Sequence, residues 1–435
     1  MVAKIGLRRE DKNEWERRIP LAPADVENLI INDGLKIVLQ PFPNRAFKDF
    51  EYTAVGAEID ENLSGCSVIL GIKEMPNDFF KSGLTYVFFS HTIKGQDYNM
   101  PMLKKILETG CNLIDYEKIT DDTGRRLVFF GREAGQAGMI DVLWTLGRRL
   151  KYEGVVNPFS TIKHAIEYNR LTEAVVDLSE ACQRILRDGI PDNLHPLVVG
   201  FAGYGNVSNG AQEILGNLPV KKLSPEELLN PTSETFRERK IYQVVFKEEH
   251  MAEPNDPAQK FELQDYYDNP SKYHGVFEKY VPQLTVLMNC IYWKKVYPRL
   301  LTKTFINKLY SENRNVKLKV IGDISSDING AVEITLKTTN TGNPVFTYDI
   351  ESGEAVDGVE GHGPVVLAVD NLPCELPREA SAKFSKSLTP FIPGLANADF
   401  SLDFDRLNIS PELKRAIICY HGKLTPDYEY LRQYL

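Results

Sequence analysis

Short apolar runs alternate with amphipathic stretches through the first part of the chain. Lys4–Leu7, Lys36–Leu39, Val68–Ile72, Thr85–Ser90, Asn112–Tyr116 and Arg126–Phe130 have the length and composition of strands. Helical periodicity lies between several of them, as in Pro23–Asn32 and Met100–Thr109. Strand and helix in alternation predict a parallel α/β sheet. Helices are next predicted over Met139–Tyr152, just after the small residues Ala134-Gly-Gln-Ala-Gly138, and over Glu167–Leu186. A second alternation runs through Leu197–Phe201, Val220–Leu223, Thr285–Met288, Leu318–Ile321 and Val365–Val369. The charged, tyrosine-rich stretch Ser224–Gln283 reads as an irregular insertion between two of these strands. A helix opens at Leu376-Pro-Arg-Glu-Ala-Ser381, and the tail Pro411–Leu435 reads as helical, returning to the first domain.

The fold expected is therefore α/β, with two Rossmann-like doubly wound parallel-sheet domains and an interdomain cleft. The first domain comprises 1–138 plus 376–435. The second comprises 139–375, with the insertion at about 224–283. A length of 435 residues suits two domains. The net charge of −9 argues against nucleic acid as a partner. No apolar run reaches the ~20 residues of a membrane span, and no signal-peptide pattern opens the chain; a cytoplasmic protein is expected. The six cysteines make no CxxC pair and no zinc-ligand spacing, so no metal is expected. The oligomeric state stays open, a homodimer included.

One loop adds chemistry to this frame. The apolar run ending at Phe201 is followed by Gly203-Tyr204-Gly205-Asn206-Val207-Ser208-Asn-Gly210 and a helix start. Gly203 permits a tight turn, Gly205 lets backbone approach a pyrophosphate, and the helix presents free N–H groups. Ser208 stands where the third glycine of the fingerprint usually falls. Strand, loop and helix in this order predict dinucleotide binding and hydride transfer. The next strand ends at Ser224 without a carboxylate, and Lys221 and Lys222 precede it. That favours NADP(H), with NAD(H) still possible; two solvated lysines are the plainer alternative.

Three strand ends in the first domain carry titratable side chains. They are Lys73 beside Glu74, His91, and Glu117. If the strands are neighbours, these groups meet along one edge, where ligands of open α/β sheets bind. Histidine exchanges protons near neutral pH, and lysine does so when its pKa is lowered. Arginines flank the same region, among them Arg18 and Arg126, and suit carboxylates. Asp323, ending another strand, would hold an ammonium group or cap a turn. The other six histidines read as structural.

Several stretches together resemble a known family. They are Arg8-Arg-Glu…Arg18-Ile-Pro-Leu-Ala-Pro23, Leu70-Gly-Ile-Lys73-Glu74-Met-Pro76, Phe89-Ser-His91-Thr-Ile-Lys94, Gly203–Ser208, Asn289-Cys-Ile291-Tyr-Trp293, Asp323-Ile-Ser-Ser-Asp327 and Asp370-Asn-Leu-Pro…Ala-Ser381. The chain resembles saccharopine dehydrogenase of the lysine-forming type, including the lysine–2-oxoglutarate reductase half of animal aminoadipic semialdehyde synthase. It is more distantly similar to alanine dehydrogenase and transhydrogenase. The resemblance implies an NAD(P)-dependent oxidoreductase acting on a CH–NH bond, which condenses lysine with 2-oxoglutarate and reduces the imine to saccharopine. It implies Lys73 and His91 as the acid/base pair, tuned by Glu74 and Glu117. Arg18 and Arg126 would hold substrate carboxylates, and Asp323 would lie near the substrate amine. Gly203–Ser208, Ser224, Ile291 and Asp323 would line the cofactor site. The Ser224 region resembles the NADPH-using animal enzyme. The second dehydrogenase domain of that enzyme has no counterpart in these 435 residues, so its activity is not expected. Alternatives are an amino-acid dehydrogenase closer to alanine dehydrogenase, and a non-catalytic dinucleotide sensor. Lys73 and His91 speak against the sensor.

Overall fold

A computed structural model describes residues 3–313 and 315–435. The chain divides into two compact units, Met1–Phe130 with Pro377–Leu435, and Gly131–Leu376. A break at 138 would fall inside a helix, because Arg132–Tyr152 is continuous. The glycines in Ala134–Gly138 do not end it. They allow another helix to approach: a Cβ on Gly135 would lie 1.8 Å from the carbonyl oxygen of Val207. Helix Arg132–Tyr152 thus packs backbone to backbone on helix Asn206–Leu215.

Strands are numbered along the chain. The first unit contains β1 (Lys4–Leu7), β2 (Lys36–Leu39), β3 (Glu58–Ile59), β4 (Val68–Leu70), β5 (Thr85–Phe88) and β6 (Asn112–Asp115). Its returning segment adds β17 (Ile417–Tyr420) and β18 (Lys423–Leu424). The sheet order is β18-β17-β6-β5-β4-β1-β2-β3. β1 to β6 pair in parallel, and β17 runs antiparallel to β6. Their apolar residues are buried throughout β4, β5 and β6, as expected where helices cover both faces of a parallel sheet.

Two expectations fail here for one reason. Arg126–Phe130 forms no strand beyond a single bridge from Arg126 to Thr120. The tail is helical only over Pro411–Arg415 before it turns into β17 and β18, and it ends in a 3-10 stretch, Pro426–Tyr434. The edge of β6 is taken by Ile417-Ile-Cys-Tyr420, whose residues are all buried. Phe130 instead stacks on Phe384, with ring centroids 4.5 Å apart.

The second unit contains β7 (Leu197–Ala202), β8 (Val220–Leu223), β9 (Ile241–Phe246), β10 (Ala252–Pro254), β11 (Tyr273–Gly275), β12 (Val286–Asn289), β13 (Val320–Asp323), β14 (Val345–Tyr348), β15 (Ala355–Asp357) and β16 (Val365–Leu367). β10 and β11 form a small hairpin, and the other eight form one sheet ordered β15-β14-β16-β13-β12-β7-β9-β8. β14 is antiparallel to both its neighbours, and the rest of the sheet pairs in parallel.

The stretch 224–283 is therefore not an irregular insertion. It contains β9, which lies directly against β7 with Phe246 level with Ala202. β8 is displaced to the edge, where only Leu223 is buried. The six residues of β9 are almost all buried, but the polar run before Ile241 masks them in the sequence. Among the described residues no helix is long and apolar enough to cross a membrane.

Candidate active site

In the first unit, β4, β5 and β6 are consecutive parallel neighbours. Their carboxyl ends carry Lys73–Glu74, His91 and Glu117. His91 Nδ1 lies 2.8 Å from a carboxylate oxygen of Glu74. Lys12 Nζ approaches the other Glu74 oxygen at 3.5 Å. Burial pushes the Glu74 carboxyl up, but its hydrogen bond to His91 and the charges of His91 and Lys12 outweigh that and bring it to about 2. His91 has a left-handed backbone, φ 50°, which is uncommon for a non-glycine residue and is tolerated where neighbours enforce it. Asn99 is one such neighbour, its side-chain amide donating to the His91 carbonyl at 3.2 Å. A cavity of about 360 Å³ opens beside the pair, lined by Lys12, Glu74, Asn77, Tyr98 and Asn99 among others.

Two buried carboxyls missed in the sequence hold these loops. Glu10 accepts from the backbone N–H groups of Ile72 at 2.7 Å and Lys73 at 3.0 Å. Its burial, together with the charge of Glu16, raises it to about 7. Asp115 accepts from the Ser90 N–H at 3.0 Å, the Ser90 hydroxyl at 2.5 Å and the Glu117 N–H at 2.8 Å. It thereby ties the end of β6 to the residue before His91. For Glu10 the available signal was a carboxylate three residues past a strand, the kind that marked Glu117; Asp115 is the last residue of β6 itself, a carboxylate inside an apolar run.

Glu117 pairs with Arg126, which is half exposed. Arg18 is buried, and its guanidinium donates twice to Glu16, at 2.7 and 2.6 Å. It also lies over the Phe130 ring at 4.3 Å. The two arginines are thus held differently, one exposed to solvent and one clasped.

In the second unit, Gly203, Tyr204, Gly205 and Ile291 border one cavity of about 490 Å³. Gly203 has φ 96° and donates its N–H to the Phe246 carbonyl at 2.9 Å. A Cβ there would come within 3.0 Å of Ile291. A Cβ on Gly205 would meet nothing, so the loop leaves open space before the N-terminus of helix Asn206–Leu215, which no side chain caps. Asn206 and Val207 form the first turn, whose free N–H groups fit a pyrophosphate. Ser208 is fully buried, and its hydroxyl accepts from Gln212 at 2.9 Å. The donor set therefore fits a dinucleotide.

Two expected cofactor residues do not border that cavity. Ser224 follows edge strand β8 and is separated from β7 by β9. Its hydroxyl caps helix Pro225–Leu229 by accepting from the Glu227 N–H, and Glu227 closes the capping box. Lys221 is paired with Glu238 at 3.4 Å. Ser224, Lys221 and Lys222 thus lie on or just after the edge strand, away from the strand end next to the glycine loop. Asp323 is buried, its oxygens accepting from Asn289 at 2.7 Å and Thr335 at 2.6 Å. Burial raises it to about 6 against those two hydrogen bonds. The cavity is also lined by Glu248, Tyr266 and Tyr267, which the sequence did not single out.

Family models for the alanine dehydrogenase/PNT N-terminal and C-terminal domains match residues 6–137 and 274–427, together most of the chain. The chain belongs to the alanine dehydrogenase/PNT family. An L-alanine dehydrogenase structure shares the fold at TM-score 0.62 and 17% identity, covering 99% of both chains. The mitochondrial alpha-aminoadipic semialdehyde synthase of Mus musculus is 36% identical over 99% of this chain, which spans 47% of that protein's length. Saccharopine dehydrogenase [NAD(+), L-lysine-forming] of Emericella nidulans is 26% identical, over 89% of this chain and 90% of its own.

Proposed function

We propose that the chain is a nicotinamide-dinucleotide-dependent oxidoreductase acting on a CH–NH bond, and specifically a lysine–2-oxoglutarate reductase that forms saccharopine. The observation that carries this reading is the Glu74–His91 pair on adjacent strand ends, one residue from Lys73. The names of the relatives supply the substrate class. The cytoplasm is the compartment proposed.

An amine adds to a ketone, the carbinolamine loses water, and the resulting imine is reduced. A bound nicotinamide supplies the hydride. Addition and dehydration need groups that give and take protons near neutrality. His91 moves these protons, held in orientation by Glu74 through Nδ1. Lys73 is its partner, placed by the clasp of Glu10 on its backbone. Glu117 adjusts the charge at the third strand end. Arg126 receives a substrate carboxylate, exchanging it for Glu117. Arg18 does so only by giving up Glu16. Asp323 acts through Asn289, holding the strand end that leads to Ile291. The choice between NADP(H) and NAD(H) turns on Glu248 instead of Ser224.

Oxidation of NADH and of NADPH should be followed with 2-oxoglutarate plus lysine, ornithine or ammonia. Lysine-dependent oxidation with formation of saccharopine is expected. Its absence with both nucleotides sinks the substrate reading, and turnover of pyruvate with ammonia would favour an alanine-dehydrogenase-like activity.

A further inference from the structure

The position beside the glycine loop belongs to β9, and this changes which residue meets the adenosine end of a dinucleotide. In a doubly wound sheet the adenosine ribose lies over the strand next to the glycine-loop strand. A carboxylate at that strand's end binds its hydroxyls. Here that neighbour is β9, with Phe246 level with Ala202. Glu248 therefore stands two residues past its strand end, as Tyr204 does past β7. Both side chains border the same cavity.

Glu248 is held there. The Tyr267 hydroxyl donates to its carboxylate at 2.7 Å, and its charge, with a further hydrogen bond, raises the Tyr204 hydroxyl. Cations near the cavity do not offset it. Lys294 and Arg299 also line the cavity, but they follow β12, on the opposite side of β7, where the nicotinamide half runs. Arg299 is moreover committed to the carbonyls of Asn329 and Gly330. Lys247, next to Glu248, is exposed and does not border the cavity.

We propose that Glu248 selects the cofactor: its carboxylate accepts from the adenosine ribose hydroxyls and excludes a 2′-phosphate, so the chain prefers NAD(H) to NADP(H). A phosphate monoester carries roughly −1.5 to −2 at neutral pH. Placed on this ribose it would face a fixed carboxylate and lose the hydroxyl bond that carboxylate accepts. The proposal rests on the dinucleotide reading above and reverses the preference expected from Ser224.

Calorimetric titration of the full chain with ADP-ribose and with 2′-phospho-ADP-ribose tests it, because neither probe can undergo hydride chemistry. ADP-ribose should bind roughly ten- to a hundredfold more tightly, and the ratio should shrink as salt is raised. Glu248→Gln should bring the two probes within a few-fold of each other, and Glu248→Arg should invert the order. Tyr267→Phe should narrow the ratio less than Glu248→Gln does. Equal binding by the unaltered chain, tighter binding of the phosphorylated probe, or a ratio unmoved in folded Glu248→Gln would overturn the proposal while leaving the dinucleotide reading intact. Binding of neither probe would overturn both.

Discussion

Two histidine–carboxylate sites differ in almost everything except their residue types. In the first unit, His91 meets Glu74 at a strand end that borders a cavity, with about a third of the imidazole exposed. In the second, His164 sits 3.5 Å from both Asp141 and Glu375, whose side chains are fully buried. Trp144 stacks on its ring at 5.1 Å. Burial would strip His164 of its proton, but Asp141 and Glu375 outweigh it and push the imidazole up to about 11. Burial and the Asp141 charge hold Glu375 protonated, so the cluster is a neutral set of imidazolium, carboxylate and carboxylic acid. The same residue types suit proton exchange where solvent reaches them and structure where it does not. A perturbed pKa alone would select the buried histidine over the one at the strand end.

The contrast breaks most visibly on substitution. His164→Gln leaves Asp141 ionised and unmatched in the core, and should cost about 3–5 kcal/mol in urea unfolding while the folded fraction keeps its turnover. His91→Gln should do the reverse, lowering turnover by roughly 10²–10⁴ with nucleotide affinity and stability little changed. Lys73→Met should behave as His91→Gln does. Near-normal rates in both would remove the acid/base assignment.

Acidity separates the two kinds of site next. Glu10 titrates at about 7 when folded, against an ordinary 4.5. The native state therefore holds the extra proton, and this group's contribution to stability falls as pH rises from 4.5 to 7, by about 3 kcal/mol. Glu74, lowered to about 2, stabilises above 4.5 and loses that contribution as pH falls through 2. The raised His164 stabilises fully below its ordinary value and loses that as pH climbs through about 11. Unfolding of Glu10→Gln should lose slope between pH 5 and 6.5, where His164→Gln should leave the slope unchanged; above 6.5 it is His164→Gln that should lose slope.

The smallest expected effect sharpens the same contrast among arginines. Arg126→Ala removes a half-exposed pair and should cost at most about 1 kcal/mol, while raising KM for 2-oxoglutarate. Arg18→Ala, which removes a buried guanidinium that donates twice to Glu16, should cost several times more.

Much of this was legible in the sequence, because the apolar runs of parallel strands are nearly continuous. β1, β2 and β8 fall where their patterns place them, as does helix Met100–Thr109. The glycine loop and the titratable strand ends could be read because each follows such a run. What could not be read is spatial order. Nothing local in Ile241–Phe246 says that it displaces Val220–Leu223 from the place beside β7, which moves Ser224 away from the glycine loop. Ile417–Tyr420 likewise pairs with a strand about 300 residues earlier, a non-local contact that helical flanks disguised.

That last pairing has a consequence for how the chain is made. The sheet of the first unit keeps the β6 edge bare until Ile417–Tyr420 has left the ribosome, while Gly131–Leu376 is contiguous and can close on its own beforehand. Synthesis therefore leaves the strands before Phe130 waiting for a partner made about 300 residues later, with an open strand edge of the kind that invites aggregation. Ribosome-stalled chains ending near residue 376 should yield to protease within Met1–Phe130 and resist it within Gly131–Leu376; equal resistance of the two would show that β6 needs no such cover.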